Sequence, residues 1–364
     1  MDNDFINSAT RLLVRDFDNL IRSRQDFFES RVVVDSFAAF RRTCATMPSI
    51  VGYVDGRIKN APADRIAFSP EQLELMMLGM IARSSSTYGT IPGVVAHLAL
   101  VGEHADAAIL NENAKNETGD RIHTPHSTLL YDCFAVIGEA LHIPVLTPAR
   151  YHIMRLILLG RRRTATNLTG VDAIQIYLDN ADLHAPNYDR NDIHIALHYA
   201  NKYGPELIKL HSVVIKAETR LDERGDTVAE RNPYDRGWLA IRCLELAMRE
   251  ASSVDEHETN RLSFIGAWGQ VVEHLAPKLS SCQLERARAW TEAHNDEEAG
   301  QAVGWEGAAE EGHAEDARDQ ALKVMTKLLP ETFGAALDEV TKLNELRLGF
   351  WDDMVMRLEA MESS

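Results

Sequence analysis

Apolar side chains recur at helical spacing along most of this chain, whereas runs that alternate like a β-strand are short and few. In the first helix that we predict, over residues 5–28, Leu13, Phe17 and Leu20 lie near one face. An apolar stripe that returns every three or four residues is typical of a helix packed on a core. The pattern therefore predicts an all-α fold.

Helix starts are indicated where a capping residue stands directly before proline, which needs no backbone N–H at the first helical position. Ser69-Pro70, Thr147-Pro148 and Asn232-Pro233 have this form. The first of them is followed by an apolar run to Ile81. Further helices are predicted over 92–112, 124–142, 148–160, 171–182, 192–222, 234–250 and 321–361. Loops are predicted around 84–89, 160–170 and 222–232.

The length of 364 residues exceeds the usual size of one domain. We predict a helical bundle over residues 1–225, with additional helices over 226–364 that form a cap or a second lobe. Between about 290 and 320, Glu, Asp, Ala and Gly dominate and apolar periodicity is weak. This segment is predicted to be an exposed helix or an acidic loop.

The formal net charge of -17 disfavours nucleic acid and anionic membranes as partners, because both repel an acidic protein. Cys44, Cys133, Cys243 and Cys282 form no CxxC pair, which argues against structural zinc and a disulfide framework. The N-terminus lacks a signal-peptide pattern, and no run of about 20 residues is apolar enough to span a bilayer. We therefore expect a cytoplasmic protein.

Glu117 and His126 stand on either side of a turn that contains Gly119. Iron binds carboxylate oxygen and imidazole nitrogen, so this pair is a candidate for two metal ligands. His123 competes with His126 for the same role. Because Thr124-Pro125 indicates a helix that begins near His126, we favour His126.

Two later helices offer the donors that a metal site inside a bundle would also need. Asp179 and Asp182 lie on one side of the helix predicted at 171–182. His211 and Glu218 share a face of the helix predicted at 192–222. Since a buried charge is costly unless it is paired or metal-bound, such residues among Ile, Leu and Val favour a metal site.

The segments Asn116-Glu117-Thr118-Gly119 and His126-Ser127-Thr128-Leu129-Leu130 resemble the first metal motif of the haem-oxygenase-like diiron oxidases and oxygenases. That family adds one carboxylate on a later helix and then a helix with His-x3-Asp-x2-His. The gaps from His126 to Asp179 and from Asp179 to His211 suit this layout. The resemblance covers about residues 70–220.

The last motif departs from the family pattern. If His211 is its first histidine, Ile215 occupies the Asp position and Glu218 the final His position. Asp222, one turn further on, could partly compensate. We therefore expect either a carboxylate-rich second iron site or a single tightly held metal.

The resemblance implies a haem-oxygenase-like bundle that binds two Fe(II) ions per chain, uses O2 as co-substrate and could draw on an external electron donor. It implies C–H oxidation of a small aliphatic, amino-acid-like substrate, by desaturation with or without ring closure, in natural-product biosynthesis. N-oxygenation is the alternative within the family. The implied ligands are Glu117, His126, Asp179, His211 and Glu218, with Asp182 or Asp222 in reserve.

Other interpretations stay open. Arg161, Arg162 and Arg163 could bind a substrate carboxylate or form a solvated loop. His194 and His198, one helical turn apart, could bind zinc. A metal-free binding scaffold could use the acidic segment and the C-terminal helices, which could also form a homodimer. In a metal-free, thiaminase-like enzyme, Cys133 would be the nucleophile.

Overall fold

The computed structural model describes residues 9–62, 65–118, 126–163, 168–181, 188–204, 236–260, 264–295 and 307–362. These ranges are helical, without a strand among them, so the all-α prediction is confirmed. The helices are α1 (Ala9–Ser23), α2 (Gln25–Phe28), α3 (Arg31–Cys44), α4 (Ser49–Asn60), α5 (Pro70–Leu100), α6 (His104–Thr118), α7 (His126–Leu141), α8 (Pro148–Arg163), α9 (Val171–Ala181), α10 (Arg190–Lys202), α11 (Arg236–Asn260), α12 (Phe264–Leu275), α13 (Ser281–Asn295), α14 (Gly307–Met325) and α15 (Pro330–Glu362). A short 3₁₀ turn, Ala276–Lys278, joins α12 to α13.

Two of the predicted helix starts are confirmed. Ser69 and Gln72 form a reciprocal capping box at the start of α5, with Pro70 in the first turn. The Thr147 hydroxyl accepts a hydrogen bond of 3.3 Å from the Arg150 amide at the start of α8. These bonds satisfy backbone N–H groups that a helix leaves unpaired at its N-terminus. Asn232-Pro233 lies outside the described residues.

The loop predicted at 84–89 is wrong, and so are the bounds of the helix predicted at 92–112. α5 runs unbroken for 31 residues, through Ser84, Ser85 and Ser86 and with Pro92 inside it. Its buried face continues with Ile91, Val94 and Leu98, so packing outweighs the weak helix propensity of serine. The chain instead reverses at Gly102, which has φ of 86°, and α6 begins at His104.

Two smaller corrections concern helix ends. The helix predicted at 5–28 is broken near Arg24, whose extended backbone separates α1 from α2. The loop predicted from residue 160 begins later, because α8 continues to Arg163. Of the helix predicted at 192–222, the described part is α10, which starts at Arg190.

The buried side chains form two hydrophobic clusters. Core 1 is built by α4, the first half of α5, α7–α10, α12, α13 and the end of α15. Its members include Val54, Leu73, Met76, Met77, Leu130, Cys133, Phe134, Ile137, Ile157, Ile174, Leu197, Trp268, Trp290, Trp351 and Leu358. Core 2 is built by α1–α3, the second half of α5, α6, α11, α14 and the start of α15. Its members include Leu13, Phe17, Phe40, Val94, Leu98, Leu110, Cys243, Leu244, Ala317, Ala321, Phe333 and Val340.

Both cores use helices from before and after residue 225, where we predicted a boundary. α11 packs against α1, α5 and α14, and α15 packs against α3, α4 and α5. Each core therefore contains residues from both sides of position 225. The acidic segment also contributes, because Ala314 and Ala317 of α14 are buried.

Among the residues that the structure describes, no helix is long and apolar enough to cross a membrane.

Candidate functional site

The first metal motif falls at two neighbouring helix ends. Glu117 lies in the last turn of α6, and His126 is the first residue of α7. α6 and α7 also contact one another. The backbone of Glu117 thus lies at the end of one helix and that of His126 at the start of the next. The two side chains themselves, and His123, lie outside the described part of the molecule.

One face of α7 packs into core 1, and this packing fixes the position of the helix. Phe134 packs against Trp268, with ring centroids 4.7 Å apart, and against Trp290 at 6.3 Å. Leu130 and Ile137 are buried on the same helix. Contacts of this kind fix the position of the helix start that carries His126.

Cys133 of α7 is fully buried in core 1. Burial raises the pKa of its thiol to about 12. Since the thiolate is the nucleophilic form, Cys133 is not suited to the thiaminase-like mechanism.

Asp179 is exposed on α9, whose buried residues are Ile174 and Leu178. Its carboxylate accepts a hydrogen bond of 2.9 Å from the Gln175 side chain. A ligand that projects into a dry bundle would instead lie on the side of the buried residues. Asp179 is therefore a poor fit for iron in this placement.

The remaining predicted ligands, Asp182, His211, Glu218 and Asp222, lie outside the described residues. Within the described residues, no group of three or more His, Cys, Asp or Glu side chains is arranged to hold a metal. Glu117 and His126 are residue types with the oxygen and nitrogen donors that iron binds, and their role as ligands stays a prediction.

Arg161 has a structural role in the last turn of α8. Its guanidinium donates hydrogen bonds to the Leu168 carbonyl at 2.8 Å and to the Asn201 side chain at 2.7 Å. It thereby joins α8 to α10 and to the segment before α9. Arg162 and Arg163 belong to the same helix, and their side chains are not described. A substrate role for Arg161 gains no support from these contacts.

His198 of the histidine pair contacts a buried carboxylate that the sequence analysis did not single out. Its Nε2 lies 2.8 Å from Oε1 of Glu74, whose side chain is 6% exposed, and Lys202 binds the other oxygen. Burial, and then the negative charge of Glu74, raise the pKa of Tyr199 and of Tyr203. The sequence analysis did not single out Glu74, because it is one polar residue within the apolar run at the start of α5 and a single polar residue does not change that pattern.

A second buried charged group, also missed, lies on α11. Glu245 accepts hydrogen bonds from Arg242 at 3.1 Å and from Arg249 at 2.9 Å. Burial alone would raise the pKa of Glu245, but Arg249 and Arg242 together lower it below its usual range. Four charged residues in the otherwise apolar stretch from Trp238 to Ala251 are the sequence signal that could have revealed this group.

Arg242 reaches from this group towards α5. Its guanidinium carbon lies 5.5 Å from the centre of the Trp238 ring. The Trp238 indole N–H donates to Nε2 of His97 at 3.2 Å, and Nδ1 of His97 lies 2.9 Å from the Gly93 carbonyl. Because Nε2 accepts, Nδ1 carries the proton, and His97 is neutral in this arrangement.

No known protein family, no curated protein and no solved structure was found to match this chain.

Proposed function

We propose that this chain is a non-haem iron, O2-dependent oxidase of a small aliphatic, amino-acid-like molecule, built on a haem-oxygenase-like bundle. The reaction proposed is C–H oxidation in natural-product biosynthesis, with N-oxygenation as the alternative outcome. The supporting observation is the placement of Glu117 in the last turn of α6 and of His126 at the first residue of α7.

The proposed ligands are Glu117, His126, His211 and Glu218, completed by Asp182 or Asp222. Asp179 is left out, because it is exposed and already bonded to Gln175. Two ferrous ions bound there would supply the activation of O2.

The protein itself would hold the metal ligands in place and exclude water from the site. The end of α6 and the start of α7 would bring a carboxylate and an imidazole together from two helices that contact one another. Leu130, Phe134 and Ile137 exclude water from the inner side of α7. Water exclusion strengthens electrostatic interactions within a site and limits side reactions.

An anaerobic Fe(II) titration tests this proposal by measuring bound iron per chain. Wild type should bind about two irons, as helical diiron bundles do, and His126→Ala and His211→Ala should each lose iron. Asp179→Asn and Asp182→Asn are a matched pair, because each removes one carboxylate from the same short segment of the sequence. Asp179→Asn should bind iron like wild type.

Absence of iron binding in wild type would contradict the proposal and favour a metal-free binding scaffold. A single iron, lost in both histidine variants, would mean that the second site is missing because Ile215 stands where the family pattern has Asp. If iron binds, oxygen uptake with aliphatic amino acids is the activity to measure.

A further inference from the structure

The side of α15 that faces away from both cores carries a stripe of exposed residues. Phe333 and Leu358, which α15 buries in the cores, lie on the opposite side of the helix. The exposed residues recur at intervals of three, four or seven positions and form the α15 stripe: Ala335, Lys342, Leu346, Gly349, Met356 and Ala360. Residues at this spacing share one face of a helix and are typical of a seam along which a second helix packs.

Gly349 leaves an open space in the middle of the α15 stripe. In the described structure, no neighbouring atom lies within 4 Å of a Cβ atom built at this position. Leu346, one turn earlier, is an apolar side chain that is 37% exposed. A glycine lets another helix approach the backbone closely, and an exposed leucine is stabilised when that helix covers it. The central turns of the stripe therefore suit close contact with another helix.

Unpaired charges of opposite sign lie on either side of this space. Lys342 and Arg42 are exposed cations at one level, because the Thr43 carbonyl accepts a hydrogen bond of 3.1 Å from the Asn344 side chain. Asp352 is an exposed anion about 15 Å further along α15 than Lys342. Among the described residues, none forms an ion pair with Lys342, Arg42 or Asp352. A partner of this surface must therefore offer an anion at one end and a cation at the other.

An antiparallel second copy of α15 meets this requirement. When Leu346 of each copy packs on Gly349 of the other, a two-fold axis passes between the two residues. Lys342 then lies level with Asp353 of the second copy, whose neighbour in the chain is Asp352. The symmetry places the same pair of opposite charges on both sides of the axis. The apolar contact and the charge contacts thus agree on one register.

The balance of charge near this axis permits two copies of an acidic protein to meet. The whole chain carries a formal net charge of -17, so most of its surface repels a second copy. Close to the axis, the exposed charges of α3 and α15 are three cations and two anions: Arg41, Arg42, Lys342, Glu345 and Asp352. Opposite charges on two matching surfaces favour association and fix its register.

We propose that this protein forms a homodimer in which α15 packs antiparallel on α15 of a second copy. Leu346 covers the open space at Gly349, and Lys342 lies beside Asp352 of the other copy. The contact extends over the turns from Lys342 to Asp353 and uses the same surface of both chains. It gives the homodimer expected through the C-terminal helices a defined interface, and it is independent of iron binding.

Sedimentation equilibrium of the full-length protein tests the charge contacts. Wild type should form dimers, and Lys342→Glu and Asp352→Lys should each raise the dissociation constant at least about tenfold, because like charges then face one another. In an equimolar mixture of these two variants, each reversed charge meets an opposite charge on the other chain. The mixture should therefore form dimers with about the affinity of wild type.

Gly349→Gln tests the close approach of the helices. The glutamine has free space in the single chain and a better helix propensity than glycine, so the fold should be retained. In the dimer it occupies the space of Leu346, and it should raise the dissociation constant at least about tenfold. Gly312→Gln in α14 is the matched control, because nothing lies within 4 Å of a Cβ there either. It should leave dimerisation unchanged, and circular dichroism establishes folding for each variant.

Three results would each overturn the proposal. The first is a wild-type protein that remains monomeric up to about 100 µM. The second is an equal effect of Gly349→Gln and Gly312→Gln on the dissociation constant. The third is an equimolar mixture of Lys342→Glu and Asp352→Lys that associates no more tightly than either variant alone. None of these results depends on iron, so they leave the oxidase proposal to its own test.

Discussion

Gly138 lies where the end of α7 meets the segment that leads to α8. A Cβ atom at this position would be 2.1 Å from Cγ2 of Val145 and 2.8 Å from the Ile143 carbonyl oxygen. The Ile143 amide donates to the Gly138 carbonyl, and His142 between them has φ of 57°. The close approach fixes how α7 ends, and so how it sits in core 1.

We expect Gly138→Ala to lower the free energy of unfolding by about 1–3 kcal/mol, because overpacking outweighs the better helix propensity of alanine. Gly52→Ala in α4 is the control, since nothing lies within 4 Å of a Cβ there. It should raise stability by up to about 1 kcal/mol. Urea denaturation measures both values, and equal effects of the two changes would contradict the steric explanation.

At the scale of single helices, α11 carries a buried charged group through an apolar core. Its net contribution depends on every charge having a partner, because a buried charge without one is strongly destabilising. Glu245 is 2% exposed and is the one residue of the group that bonds both arginines. Its charge state therefore controls the stability of α11 in core 2.

Glu245→Gln should cost about 3–5 kcal/mol at neutral pH, because it removes the buried carboxylate that bonds both arginines. The lowered pKa also gives a pH dependence with a definite sign. The stabilisation from ionised Glu245 is complete above the unfolded pKa of about 4.3 and is lost as pH falls through the lower folded value. Denaturation between pH 7 and pH 2 should show this loss in wild type and a smaller one in Glu245→Gln.

Glu273→Gln is the control for this prediction. The pKa of Glu273 is also lowered, chiefly by its hydrogen bond to Arg288, but its side chain is 58% exposed. Water and salt screen such a pair, so the change should cost less than about 1 kcal/mol. Similar losses in the two variants would contradict the importance of burial.

At the scale of the whole molecule, α5 and α15 connect the two cores. α5 contributes Met76 to core 1 and Val94 to core 2. α15 contributes Phe333 to core 2 and Leu358 to core 1. Since long continuous helices pass through both clusters, we expect the two cores to unfold together.

Leu358→Ala tests this coupling from the far end of α15. Its side chain is fully buried in core 1, so the cavity should cost about 2–5 kcal/mol. Hydrogen exchange at the amides of α3, which belongs to core 2, should become faster, because the free energy of opening falls by the same amount as the free energy of unfolding. Met356→Ala, at a side chain that is 60% exposed, should change stability by no more than about 0.5 kcal/mol. Unchanged exchange in α3 would mean that the cores unfold separately.

The sequence by itself determined the all-α class and two of the helix starts, because apolar periodicity and capping bonds are local properties of the chain. It also indicated that a helix begins near His126, where α7 starts, whereas the predicted helix end at residue 112 fell short of Glu117 in the last turn of α6. Tertiary structure decided that α5 continues through the serines, since the energy that favours this comes from burying Ile91 and Val94 against other helices.

Tertiary structure also decided which charged residues meet. Arg242, Glu245 and Glu74 could not be ranked above other polar residues from spacing alone, because their burial depends on helices distant in the chain. For the same reason the exposure of Asp179 was not visible in the sequence: the periodicity of α9 shows one apolar face, but the packing of α9 on α8 and α10 determines which side faces water.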